Sequence, residues 1–466
     1  MKLFLIRLLL TVVAGSAIGV SFFLPWGWMM VPGAFALFIY ILSHSTARES
    51  FALGTLFGFC IIGSSLGWVL TLLPLDQMGI HNQVFSVCAV FGVWFLCSLL
   101  LAATVGLFSL QVRTYVKTFW ILCIAPFLWI AGECMRAALF SLVMWGSGST
   151  FGADFSFGFI GYTFAGSPGL LWFARAGGVL ALSWLAATLG TVLYIAATRT
   201  IFPSPTRLYS SAGIYICILA LGFLLPSPLK VETGPSVIVT DGLRIVPISI
   251  HLEPSLYYNQ AQLLSSEETL ADKINSALEQ KPDIIILPEY FYFLRNQKLL
   301  SPTVRTALLE GLKKNKTLLV DSEATPEGTG TILFFDGASG AVLARQEKRY
   351  LMPFGEYLPQ PLIFILNSLG FGKEISGITA SREYVSSDAP FSSRTFAWKS
   401  ADLAVLACSE SFSPFGYKEA SNAGATILIN IASHGWLHSD LLFRETFAMA
   451  KIHAVYTGKP YIQAIN

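Results

Sequence analysis

A carboxylate, a thiol and an ammonium stand at the ends of apolar runs in the second half of this 466-residue sequence. Glu289 ends DIIILPE, Lys348 follows the second apolar run of TILFFDGASGAVLARQEKRY, and Cys408 ends DLAVLAC. Acyl transfer through a thioester needs these groups. A cysteine attacking a carbonyl requires a base for its proton and a cation to stabilise the thiolate and the tetrahedral oxyanion, roles that Glu289 and Lys348 suit by type. The same carboxylate can then deprotonate an incoming amine. Taken singly, Glu289 and Lys348 read equally well as solvated charges and Cys408 as a small core residue. The other six cysteines, at 60, 88, 97, 123, 134 and 217, all fall in long apolar runs, which leaves Cys408 as the one thiol of the polar half, with no local disulfide partner.

The elements that must position these residues are legible from about Gly242 onward. LRIVPISI, DIIILPE and TLLVDSE read as strands, separated by helical stretches over 265–280 and 301–316. A hairpin turns at Asp336–Gly340. DLAVLACSE and ATILINIAS follow as strands, with helices near Pro414 and over 440–455. Strand ends are where layered α/β folds assemble sites, because a rigid apolar strand delivers its last side chain to a crevice.

Residues 1–226 differ in kind. The whole chain is 54% hydrophobic and 12% charged, with mean hydropathy +0.62, against roughly 25% charged residues in soluble domains. A helix needs about 20 apolar residues to cross a bilayer, and seven runs beginning near 3, 27, 51, 84, 118, 170 and 209 are expected to span. The first reads as a retained span rather than a cleaved leader. Lys2 and Arg7, Arg48, Arg113 and Lys117, and Arg199 and Arg207 fall on alternate sides, which marks that side as cytoplasmic and puts residues 227–466 outside. Between the fifth and sixth spans, 136–167 is a Gly-broken aromatic segment, expected at the outer face as a connector or as the lining of a lipid entry path. The net charge of +2, with basic residues scattered, excludes a nucleic-acid surface. His251, His434, His438 and His453 lack a ligand spacing, so no metal is expected, and no cofactor is required.

Together the motifs resemble the nitrilase, or carbon–nitrogen hydrolase, superfamily and, within it, the apolipoprotein N-acyltransferase family. KRYLMPFGEYLP carries the most specific likeness, with Lys348 and the run Pro353 to Tyr357; Pro288-Glu289 and Cys408-Ser409-Glu410 match two further motifs, and Trp129, Glu133 and Arg136 a third in the membrane half. The resemblance implies a multi-span α-helical membrane domain of about seven helices (1–226) followed by an α/β nitrilase-like α-β-β-α sandwich (227–466). It implies a multi-pass protein of the bacterial inner membrane whose catalytic domain faces the periplasm. Glu289, Lys348 and Cys408 would be the triad, supported by Glu356, Glu410 and Trp436. The activity implied is transfer of an acyl chain from a phospholipid, through a Cys408 thioester, to the N-terminal amine of a diacylglyceryl-cysteine lipoprotein. Ser409 stands where the family has Tyr, and Ser433 and His434 stand where it has Asn and Asp. The family's last strands and final span are expected to be missing after Asn466. These departures keep two alternatives in view: an acyltransferase or amidase with another acceptor, as in conjugal-transfer relatives, and an inactive scaffold.

Overall fold

The computed structural model describes residues 2–75, 82–146, 149, 151–152, 154–198, 213, 216–217, 219–226, 228, 237–250, 260–324, 329–372, 386–434 and 439–466. Trp436, His251 and His438, and part of the seventh apolar run, lie outside them.

Six helices account for the first six runs: α1 (Lys2–Ser21), α2 (Met30–Ser43), α3 (Ala47–Ser65), α4 (Gln83–Arg113), α5 (Ile121–Val143) and α6 (Ala174–Thr198). Among the described residues, five apolar helical stretches are long enough to cross a membrane, and the chain is a membrane protein. The second run is the exception. Helix α2 has 14 residues, a rise of about 21 Å against a hydrocarbon core of about 30 Å. It starts late because the chain first turns tightly after Pro25, where a Cβ on Gly27 would lie 2.2 Å from the Ser21 carbonyl oxygen. Helix α3 begins with a capping box between Thr46 and Glu49. Its Gly54 and Gly58 let α4 approach until a Cβ would stand 2.1 Å from Ser109 Oγ and 2.8 Å from Val105, the small-residue packing typical of bundles in lipid.

The second half forms two sheets. Strands β1 (Ile238–Thr240), β2 (Leu243–Pro247), β3 (Ile284–Ile286), β4 (Leu318–Ala324), β5 (Gly330–Asp336) and β6 (Ala341–Glu347) lie in sequence order, with β2–β3–β4 parallel. Strands β7 (Thr395–Trp398), β8 (Ala401–Ala407), β9 (Ile427–Ala432) and β10 (Tyr461–Ile465) form the other in the order β10-β9-β8-β7, with β8, β9 and β10 parallel. Alternation along each strand sends one set of side chains between the sheets, Ile284, Ile286 and Val320 against Leu403, Val405 and Ile429. The opposite set meets helices. On the first sheet Ile285 and Leu319 pack under α7 (Gln260–Glu279) and α8 (Pro302–Asn315). On the second, Leu406 and Leu428 pack against α10 (Gly416–Asn422) and α11 (Asp440–Thr457), while α9 (Gln360–Ser368) stands apart. The result is an α-β-β-α sandwich.

Helix α11 is shared. Ala450 and Ala454 face the sheet, whereas Leu442, Met449, Ile452 and Val455 join the apolar core of the membrane helices. Within the 136–167 segment, residues 155–165 are buried under the sandwich, while Leu142, Trp145 and Phe151 are exposed. Glu133 Oε1 accepts from Trp129 Nε1 (3.0 Å) and the Ile160 amide (2.8 Å), Arg136 donates to the Gly158 carbonyl (2.9 Å), and Ser156 Oγ donates to the Phe412 carbonyl (2.6 Å).

Candidate active site

The strand ends converge. Glu289 lies just past β3, Lys348 follows β6 directly, and Cys408 follows β8 directly. Lys348 Nζ donates to Glu289 Oε1 at 2.8 Å and to Glu356 Oε1 at 3.0 Å. Glu356 also accepts from the Tyr290 hydroxyl and, through Oε2, from the Met352 amide at 2.6 Å. All three charged groups are nearly completely buried. Such a triad endures out of water only because one ammonium serves two carboxylates and the remaining oxygens find donors. One oxygen does not: among the described residues, Glu289 Oε2 has no hydrogen-bond partner.

Cys408 occupies a strained turn. Its φ is +42°, in the left-handed region that a Cβ disfavours, and it opens a 3-10 turn over Cys408–Phe412. Glu410 fixes that turn by accepting from the Ala407 amide (2.8 Å), the Arg349 amide (2.6 Å) and the Arg394 guanidinium. Ser411 Oγ donates to the Cys408 carbonyl at 2.6 Å, and His453 Nε2 lies 2.9 Å from the Ser411 carbonyl. Ser409, the unusual residue beside the thiol, turns away and donates to the Tyr350 carbonyl. The turn is thus held from both sides.

The electrostatics follow from burial. Loss of water pushes the Glu289 carboxyl up to about 7, with Lys348 opposing and Glu356 adding to the shift. Burial also works against charge on Lys348, but Glu289 and Glu356 together outweigh it and hold the ammonium well above the lysine range. Burial pushes the Cys408 thiol up, Glu289 adds to this, and Lys348 and the Ser433 amide oppose it. The resting site therefore holds a protonated thiol beside a fixed cation and a carboxylate whose affinity for a proton matches neutral pH. Chemically, such an arrangement can pass a proton from sulfur to Glu289.

Two spaces adjoin the cluster. A cleft of about 270 Å³ is lined by Glu289, Tyr290, Lys348, Glu356, Ala407 and Ile431. A second, small and apolar, is walled by Leu66, Trp68, Phe140 and Phe157 of the membrane half and by Met352 and Phe354 of the loop after Lys348, and none of the cluster's charged side chains lines it.

Of the residues singled out in the sequence, Glu289, Lys348, Glu356, Cys408 and Glu410 come together, while Trp436 lies outside the described residues. Tyr290 and Arg394 were missed. Tyr290 had a weak signal, adjacency to Glu289; Arg394 had none, since it sits 16 residues from the carboxylate it serves.

Residues 14–192 match the family model of the apolipoprotein N-acyltransferase N-terminal domain. The apolipoprotein N-acyltransferase of Geobacter metallireducens is 24% identical over 482 residues, which cover 98% of this chain and 83% of that protein. That of Brucella melitensis is 24% identical over 71% of this chain and 64% of its own length, and that of Rickettsia prowazekii 23% over 99% and 86%. Among solved structures, a mutant amidase from a Nesterenkonia species is 19% identical with a TM-score of 0.33, covering 49% of this chain and 79% of that one. A carbon–nitrogen hydrolase from Helicobacter pylori is 16% identical with a TM-score of 0.32, covering 47% and 72%. Along nearly its whole length this chain is similar to apolipoprotein N-acyltransferases, and residues 14–192 match the model of their N-terminal domain.

Proposed function

We propose that this protein is a membrane-bound N-acyltransferase that moves an acyl chain from a phospholipid, through a thioester on Cys408, to the N-terminal amine of a lipoprotein. The observation that carries the reading is the apolar cavity between the Lys348–Glu356 loop and the membrane helices. A hydrolase of small polar amides has no use for apolar walls there, whereas the tail of an acyl chain can lie against them with no polar group to satisfy. In this reading residues 1–226 form the membrane domain, and residues 227–466 form the catalytic domain on the periplasmic side of the bacterial inner membrane.

Glu289 Oε2 takes the thiol proton as sulfur attacks the ester carbonyl. Lys348 stabilises the oxyanion, and collapse breaks the carbon–oxygen bond. The departing lysophospholipid oxygen receives the proton from Glu289, which leaves the thioester and a free carboxylate. The acceptor amine then attacks the thioester carbonyl, Glu289 takes a proton from nitrogen, the carbon–sulfur bond breaks, and the thiolate recovers that proton as the amide is released. Glu356 and Glu410 act on this chemistry indirectly: the first holds Lys348 and the second holds the Cys408 turn.

The test is the intact mass of the purified protein after incubation with phospholipid. An added acyl mass that hydroxylamine removes, present in wild type and absent from Cys408→Ser, is expected. A folded wild type that never acquires the adduct defeats the proposal. A thioester that forms but passes to water or a small amine, and never to a lipopeptide, defeats the acceptor part alone.

A further inference from the structure

Helix α11 has a third face outside the apolar cores of the sheet and of the membrane helices. Phe443, Arg444, Phe447 and Lys451 fall in one stripe along it, spaced by one, three and four residues. Phe443 and Arg444 are exposed and Phe447 and Lys451 half-buried. The Lys451 ammonium lies 4.8 Å from the Phe447 ring centre. Of the two acids of α11, Glu445 is buried on another face, and Asp440, one turn before Arg444, forms no ion pair with it among the described residues.

The location of the stripe gives it meaning. Arg444 donates to the Phe23 carbonyl at 2.8 Å, in the turn between α1 and α2. Leu441 touches the Gly67 position just past α3, and Tyr456 packs on Gly178 near the start of α6. Helix α11 therefore lies across one end of the membrane bundle. At that same end Trp26, Trp172 and Phe173 are exposed, and the Arg175 guanidinium lies 4.5 Å from the Trp172 ring centre. Exposed tryptophans and cations at span ends mark the level of lipid headgroups. A stripe of alternating rings and cations at this level meets acyl-chain ends with its rings and phosphates with its nitrogens.

We infer that α11 binds anionic phospholipid at the bilayer surface, with Arg444 and Lys451 on the headgroup phosphate and Phe443 and Phe447 at the acyl boundary. The inference rests on the chain being a membrane protein and not on the acyl-transfer reading, so a missing Cys408 adduct leaves it untouched. The experiment uses the full chain in mild detergent, titrated with phosphatidylglycerol or phosphatidylcholine and followed by native mass spectrometry. Wild type is expected to prefer phosphatidylglycerol. A basic side chain near an anionic surface contributes about 1 kcal/mol, so Lys451→Gln lowers that affinity about fivefold and the Arg444→Gln/Lys451→Gln pair about thirtyfold. Phosphatidylcholine binding is unchanged, and the difference shrinks as salt is raised. Lys451→Gln alone leaves the Arg444–Phe23 hydrogen bond intact and separates headgroup binding from loosening of the helix. Equal affinity of wild type for the two lipids, or a double variant that binds phosphatidylglycerol like wild type, overturns the inference. So does displacement of the lipid by millimolar inorganic phosphate, which would make this a free-anion site.

Discussion

Two groups of buried carboxylates lie on opposite sides of the first sheet. At the mouth of the inter-sheet layer, Glu289 and Glu356 share Lys348. On the helix-covered side, Glu267 of α7 and Asp321 of β4 are buried with no cation paired to either among the described residues, and Glu267 Oε2 and Asp321 Oδ1 lack hydrogen-bond partners. Asp321 accepts from the Leu294 amide at 2.8 Å, and Glu267 accepts from Asn296 at 3.2 Å, so both hold the one-turn helix that follows the Glu289 loop. Burial pushes Glu267 up to about 8 and Asp321 up to about 7, close to the value for Glu289. A displaced acid is therefore not the mark of the site. What separates the two groups is the shared ammonium and the thiol on a strained turn.

The largest effect should come from removing the cation. Lys348→Met leaves two carboxylates buried together, and breaking such a cluster costs about 3–5 kcal/mol. A drop in thermal stability is expected along with loss of the Cys408 adduct, and an unaltered melting temperature would mean that the acids relax by protonation alone. Glu289→Gln keeps the shape and leaves Lys348 with Glu356. It should slow adduct formation by about 10²–10⁴-fold with little change in melting. In wild type the rate of adduct formation should rise with pH through about 7, as Glu289 ionises, and a rate that is flat from pH 5.5 to 8 would assign the base elsewhere.

The smallest effect belongs to the helix-covered pair. The folded state holds Glu267 protonated well above its unfolded value of 4.5. The stability from this neutral carboxyl is present below about 4.5 and is lost as pH rises toward 8. Glu267→Gln removes the dependence, so the melting temperature of the variant should gain steadily on that of wild type as pH rises from 4.5 to 8. Adduct formation should not respond. If it does, the two groups are coupled through the 290–296 loop and the contrast between them fails.

The strands carrying Glu289, Lys348 and Cys408 were legible because each is a run of β-branched or apolar residues closed by one polar group, and the hairpin announced itself through Asp336–Gly340. The helix over 265–280 begins five residues earlier, at Gln260, because the polar start of an amphipathic helix resembles a loop. Strands β1, β7 and β10 were not read. They are three to five residues long, too short for a period of two to stand out, and β10 gains its place by pairing with β9 rather than by its own pattern. The burial of residues 155–165 was equally hidden. Aromatic side chains there are covered by partners such as Phe412, whose ring lies tilted with its centre 4.4 Å from that of Phe157, across more than 250 residues of sequence.

Cysteine is a poor residue for folding position 408. Glycine or asparagine would enter the left-handed region there with less strain, and the surrounding hydrogen bonds would hold either in the same turn. A population of variants screened for heat resistance alone should therefore lose its thiol early, and one screened for acylation should regain it and surrender some thermal tolerance. Running the two screens in turn would turn a single backbone angle into a reading of how far this turn is shaped by chemistry at the expense of folding.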